Sequence, residues 1–180
     1  MGTAQMEAYY IGGGLVCALL AAAWDLLQGR IPNRLTYSGI VGGLALRVCL
    51  GGWRGLGDGL AAGLLGGGIF FLFFLVRGMG AGDVKLMAAV GCWTGVRQAL
   101  VIMLASAIAG GVLAVGYMVF YKRGARTLQN IGELLRFHLS FGLQSHPEIN
   151  LQNPEAIRIP YGVAIAAGTF YSFGAMLMRG

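Results

Sequence analysis

Ile69-Phe70-Phe71-Leu72-Phe73-Phe74-Leu75-Val76 runs directly into Arg77-Gly78-Met79-Gly80-Ala81-Gly82-Asp83, and the chain turns apolar again at Val84. A solidly bulky apolar run followed by glycines and a carboxylate reads as a membrane helix meeting a polar boundary. An acid at such a boundary is costly near lipid, so it faces a cavity or a partner. Asp25 has the same setting. In Trp24-Asp25-Leu26-Leu27-Gln28-Gly29-Arg30-Ile31-Pro32-Asn33 it ends another apolar stretch. Two carboxylates that share a site can share one proton and activate water.

Composition supports the membrane reading. Of 180 residues, 57% are hydrophobic and 11% charged, against roughly 25% charged in soluble domains. The 32 glycines follow no collagen period, and in membrane helices glycine lets backbones approach closely. The net charge of +6 comes from basic residues scattered between apolar segments. They read as topology determinants and anionic-lipid contacts rather than a nucleic-acid surface, because no basic stripe or aromatic platform is present. Cys17, Cys49 and Cys92 form no CxxC pair and read as small buried hydrophobes, so no metal site and no cofactor is expected. Glu7 precedes the first apolar run and no basic segment leads it, which argues against a cleavable signal peptide.

The hydropathy pattern predicts an all-α polytopic membrane protein, a single domain over 1–180 with about six spans. These fall at about 8–24, 35–50, 59–76, 84–93, 98–121 and 161–178. Ile31-Pro32 breaks the helix after Asp25, and 51–58 reads as a turn. The third span carries Gly59, Gly63 and Gly67 at a spacing that suits tight helix contact. The fourth is short and belongs in a protein-lined setting. The segment 122–160 is the only long polar stretch. Leu128, Ile131, Leu134, Leu135 and Leu139 recur there at helical spacing, predicting an amphipathic helix on the membrane surface. Pro147, Pro154 and Pro160 predict irregular chain after it.

Six spans place 25–34, 77–85 and 122–160 on one side. That side holds Arg30, Arg34, Arg77, Lys85, Lys122, Arg123, Arg126, Arg136 and Arg158. The other holds Arg54, Arg97 and Arg179, with Arg47 at its edge. Nine against four makes the first side cytoplasmic. Asp25 and Asp83 then share the cytoplasmic face, while Asp58 falls on the far face as a loop acid.

In a paired-acid site the ionised carboxylate takes a proton from water as the water attacks a peptide carbonyl. The protonated partner polarises the carbonyl oxygen and helps protonate the leaving amine. The pair titrates as a unit. Gly80 and Gly82 offer backbone conformations closed to other residues and room for an extended peptide. Lys85 either tunes the pair, contacts substrate or is a plain topology charge. On spacing alone, two interfacial acids each paired with a local Arg or Lys, or a cation-binding pair, remain alternatives.

Gly80-Ala81-Gly82-Asp83 resembles the GxGD motif of intramembrane aspartic proteases. The longer run through Val84-Lys85-Leu86 is similar to the GxGDxKL signature of type IV prepilin peptidases. Asp25 followed by Ile31-Pro32-Asn33 resembles the region of that family's first catalytic aspartate, and Ile159-Pro160-Tyr161-Gly162 its last helix. The resemblance implies that Asp25 and Asp83 are the catalytic pair, with Gly80, Gly82 and Lys85 as substrate-binding or supporting residues. It implies a prepilin or pseudopilin substrate with a basic leader and a hydrophobic helix, cut at the cytoplasmic boundary of the cell membrane. Pilus or secretion machinery is then the expected partner. Longer members methylate the new N-terminus and carry paired cysteines in an extra N-terminal portion. This chain begins near its first span and has no CxxC, which argues against methyl transfer and favours the short tight-adherence (Flp) type. Archaeal preflagellin peptidases are short relatives too. A small transporter using the acids as cation or proton sites is the rival of another class, and a noncatalytic assembly subunit a third. For 122–160, docking of the leader or of the machinery competes with simple membrane-surface support.

Overall fold

The computed structural model describes residues 3–121, 124–142, 144, 149 and 159–178. Among these, every regular element is a helix: α1 Thr3–Gln28, α2 Asn33–Leu75, α3 Ala81–Thr94, α4 Val96–Phe120, α5 Gly124–Phe141 and α6 Tyr161–Leu177. Among the described residues three stretches are long and apolar enough to cross a membrane, Gln5–Gln28, Asn33–Leu75 and Val96–Phe120, and Tyr161–Leu177 is a shorter apolar helix. The all-α membrane class is therefore as expected.

The expected second and third spans form one element of 43 residues, α2. Straight, it would reach about 65 Å at 1.5 Å per residue, roughly twice the hydrocarbon core. It is broken at Gly52, whose φ of 58° and ψ of −152° are non-helical. The break reverses the chain: Arg47 Nη1 lies 2.6 Å from Asp58 Oδ2, whereas eleven residues of straight helix would separate them by about 16 Å. The expected turn over 51–58 thus contracts to one glycine flanked by helix, because a single residue at positive φ suffices to redirect the backbone.

The two limbs of α2 clasp α3. Along limb 33–51, Gly39 faces Ala89 and Gly43 faces Cys92 and Trp93. Along limb 53–75 the order is opposite, with Gly59 and Gly63 at Cys92 and Gly67 at Ala88. The glycines spaced for close contact in the sequence are therefore the surface that receives α3. Trp93 is gripped from two segments, by Gly13 and Gly14 of α1 and by Gly42 and Gly43 of α2. Leu86, Met87, Ala89 and Val90 are fully buried. α3 spans only about 21 Å, and the protein encloses it on several sides.

Gly91 shows how tight the packing is. A Cβ there would fall 2.6 Å from Ala62 O and 3.0 Å from Gly63 N, both backbone atoms that cannot swing aside. Gly91→Ala is expected to lower stability by about 1–3 kcal/mol, read as a drop in thermal midpoint in detergent. Gly68→Ala, with open space around it, is the control that leaves the midpoint unchanged.

The amphipathic stretch is helical, as α5. Pro147 and Pro154, expected to lie in irregular chain, fall outside the described residues.

Candidate active site

The fold brings four chain ends together: the C-terminal end of α1, the start of α2, the link from α2 into α3, and the start of α6. Asp25 lies in the last turn of α1, where the helix macrodipole disfavours a negative charge. The opposite end of another helix compensates: the Gly162 N–H, in the first turn of α6, donates to Asp25 Oδ2 at 3.0 Å. Gly162 must be small here, because a Cβ would meet that oxygen at 3.0 Å.

Asp83 sits in the first turn of α3, ahead of its apolar part. Its Oδ2 accepts the Gly80 N–H at 3.2 Å, closing the helix start as an acidic cap. The helix therefore begins at Ala81, three residues ahead of the expected span, and Asp83 lies within it rather than in a loop.

Asp25 and Asp83 line one open cavity of about 740 Å³, with Leu26, Phe74, Leu75, Tyr117 and Ile159 as apolar wall and Arg77 at its edge. A smaller recess of about 230 Å³, lined by Gly29, Gly80, Ala81 and Gly82, opens between the same two acids. The pairing expected from the sequence is thus geometrically available.

The glycines work differently from expectation. Gly80 has φ −78° and ψ 146°, and Gly82 is not among the glycines with positive φ. Neither uses a conformation closed to other residues. What they supply is space: a Cβ on Gly82 would stand 3.1 Å from Ile31 Cβ, and one on Gly80 would stand 3.0 Å from Asp83 Oδ2. Lys85 does not line the cavity; its Nζ donates to Asn33 Oδ1 at 2.8 Å. Asp58 stands apart from the pair and accepts from Arg47 and from the Val96 N–H.

Three features of the site were not foreseen. The Gly162 amide acts across 137 residues, and the only signal for it was the Pro160-Tyr161-Gly162 run read as a helix start. Ile31 is a buried peg that touches both the Gly82 position and, through its Cδ1, the Gly162 position. Arg77 holds φ 57°, where Gly78 N bonds Phe73 O and Arg77 N bonds Phe74 O. This is a C-terminal cap usually given to glycine, so an arginine is held there at a conformational cost, beside the acids.

The chain is 32% identical over 123 residues to the prepilin leader peptidase/N-methyltransferase of Aeromonas salmonicida, covering 60% of this chain and 42% of that protein. The protein of the same name in Burkholderia pseudomallei is 36% identical over 120 residues, covering 61% of this chain and 37% of its own. The chain thus spans less than half the length of these relatives. Leader peptidase HopD of Escherichia coli is 32% identical over 122 residues, 63% of this chain and 76% of HopD. No solved structure matches. The model of the type IV leader peptidase family matches residues 13–115, a range that holds both Asp25 and Asp83, and the chain belongs to that family.

Proposed function

We propose that this chain is a membrane-embedded aspartic endopeptidase that removes the basic leader from type IV prepilins or pseudopilins. The observation that carries the reading is the shared cavity of Asp25 and Asp83 in a chain of the leader peptidase family. One carboxylate takes a proton from water, and the water oxygen bonds to the scissile carbonyl carbon. The other carboxyl donates to the carbonyl oxygen. Collapse of the tetrahedral species breaks the C–N bond, and the amine leaves with the proton held by the first acid. The apolar wall of Leu26, Phe74, Leu75 and Tyr117 suits the hydrophobic helix that follows the leader.

Six crossings, with the two limbs of α2 counted separately, form a single peptidase domain in this reading. The nine-to-four charge bias sets the cavity toward the cytoplasm, in the cell membrane. Pilus or secretion machinery is the assembly it serves, and α5 lies on the membrane surface. The test is cleavage of a leader-bearing prepilin by the purified protein in liposomes. Release of the intact leader, seen by mass spectrometry, supports the reading. No cutting of any of several prepilins overturns it and favours a transport or assembly role.

A pair that shares one proton sets a pH dependence. Once that proton is lost, neither acid can protonate the carbonyl oxygen. kcat/KM is expected to fall on the alkaline side along a limb that belongs to the pair. Initial rates across a pH series check this, and a profile with no alkaline fall contradicts it.

A further inference from the structure

The surroundings of Lys85 form a connected set. Its ammonium donates to Asn33 Oδ1 at 2.8 Å and stands 5.4 Å from the centre of the Tyr37 ring. Asn33 and Tyr37 are four apart on α2, so both present to one face. Asn33 opens α2 directly after the short link that follows the helix of Asp25. Lys85 lies two residues beyond Asp83. The hydrogen bond therefore joins the segments of the two acids in one path: Asp25, the 29–32 link, Asn33, Lys85, Asp83. Ile31, within that link, packs against Gly82 on one side and Gly162 on the other. Pro32, extended at φ −66° and ψ 135°, leaves the link little slack.

We propose that Asn33 and Lys85 are positioning residues, a latch that fixes the separation of the Asp25 and Asp83 carboxylates. The inference deepens the peptidase reading and rests on it. Neither residue lines the cavity, so both act through the backbone that carries the acids. A charge needed only for topology requires no acceptor. Lys85 has one, together with a ring face.

The test measures kcat and KM on a leader-bearing prepilin for Asn33→Ala, Lys85→Ala, their double variant and Asn33→Asp. Each alanine is expected to lower kcat about tenfold with KM little changed, since small misplacement at a reacting centre is costly. The double variant falls no further than either single. Asn33→Asp keeps wild-type kcat, because its carboxylate accepts the same bond. Losses that multiply in the double variant, to about a hundredfold, overturn the latch, as does a rise in KM alone, which would make Lys85 a substrate contact. Hydrogen exchange of the 29–31 amides reads the latch without catalysis. Each alanine should speed it, and the double variant no more; unchanged exchange in both singles also overturns the proposal. Absence of cutting by the wild type refutes the peptidase reading, and the exchange result then still decides the latch.

Discussion

Asp25→Asn and Asp83→Asn are each expected to reduce prepilin cleavage by about 10³-fold or more while leaving the protein folded. General acid–base catalysis by one positioned group contributes about 10²–10⁴-fold, and in a shared-proton pair either loss removes both roles. The fold should survive because each substitution keeps a carbonyl oxygen in place. In Asp25→Asn the new amide oxygen still accepts the Gly162 N–H, and in Asp83→Asn it still accepts the Gly80 N–H, the two bonds that seat the acids. The variants also remove a carboxylate from a partly desolvated cavity, which is unfavourable for the charged form. Their thermal midpoints in detergent should therefore equal or exceed that of the wild type, the usual signature of a site held at a stability cost. Activity lost together with a lowered midpoint would point to a structural role instead. Cleavage retained by both variants would assign the chemistry to other groups.

The arrangement of apolar segments and the two acids was legible because hydropathy and local motifs are short-range signals. The spacing of Gly59, Gly63 and Gly67 announced the surface that receives α3, and an even number of spans between Asp25 and Asp83 predicted one face for both. What escaped the sequence was set by contacts between distant segments. Gly162 holds Asp25 across 137 residues, and no local pattern reports that. The start of α3 moved to Ala81 because one side-chain cap, Asp83 on Gly80, outweighs the polar look of Gly80-Ala81-Gly82. The reversal at 51–58 was placed correctly but drawn too long, since hydropathy marks where a span ends and says nothing of how few residues redirect it. Arg47 was counted as an edge charge for topology. It is 5% exposed, and its charge is taken up by internal bonds.

Arg47 is the origin of the second large effect. Its Nη1 pairs with Asp58 Oδ2 at 2.6 Å, its Nε donates to Trp93 O at 2.9 Å, and its guanidinium lies 4.5 Å from the Tyr10 ring centre. Asp58 in turn accepts the Val96 N–H that opens α4. One side chain thus ties α1, both limbs of α2, the end of α3 and the start of α4, at the end of the bundle away from the cavity. Removing one member of a buried pair costs about 3–5 kcal/mol. Asp58 is 47% exposed, so water can take up its charge once the partner is gone. Arg47→Ala is therefore expected near the lower end, about 3 kcal/mol, as a large drop in thermal midpoint. Arg47→Met should be milder, because it keeps most of the buried volume and loses only the polar bonds. Since α3 carries Asp83 at its other end, loosening its grip at Trp93 should also lower cleavage by the surviving folded protein. An Arg47→Ala protein with the wild-type midpoint would show that the buried guanidinium merely breaks even against its desolvation, and that the glycine contacts alone hold α3 in place.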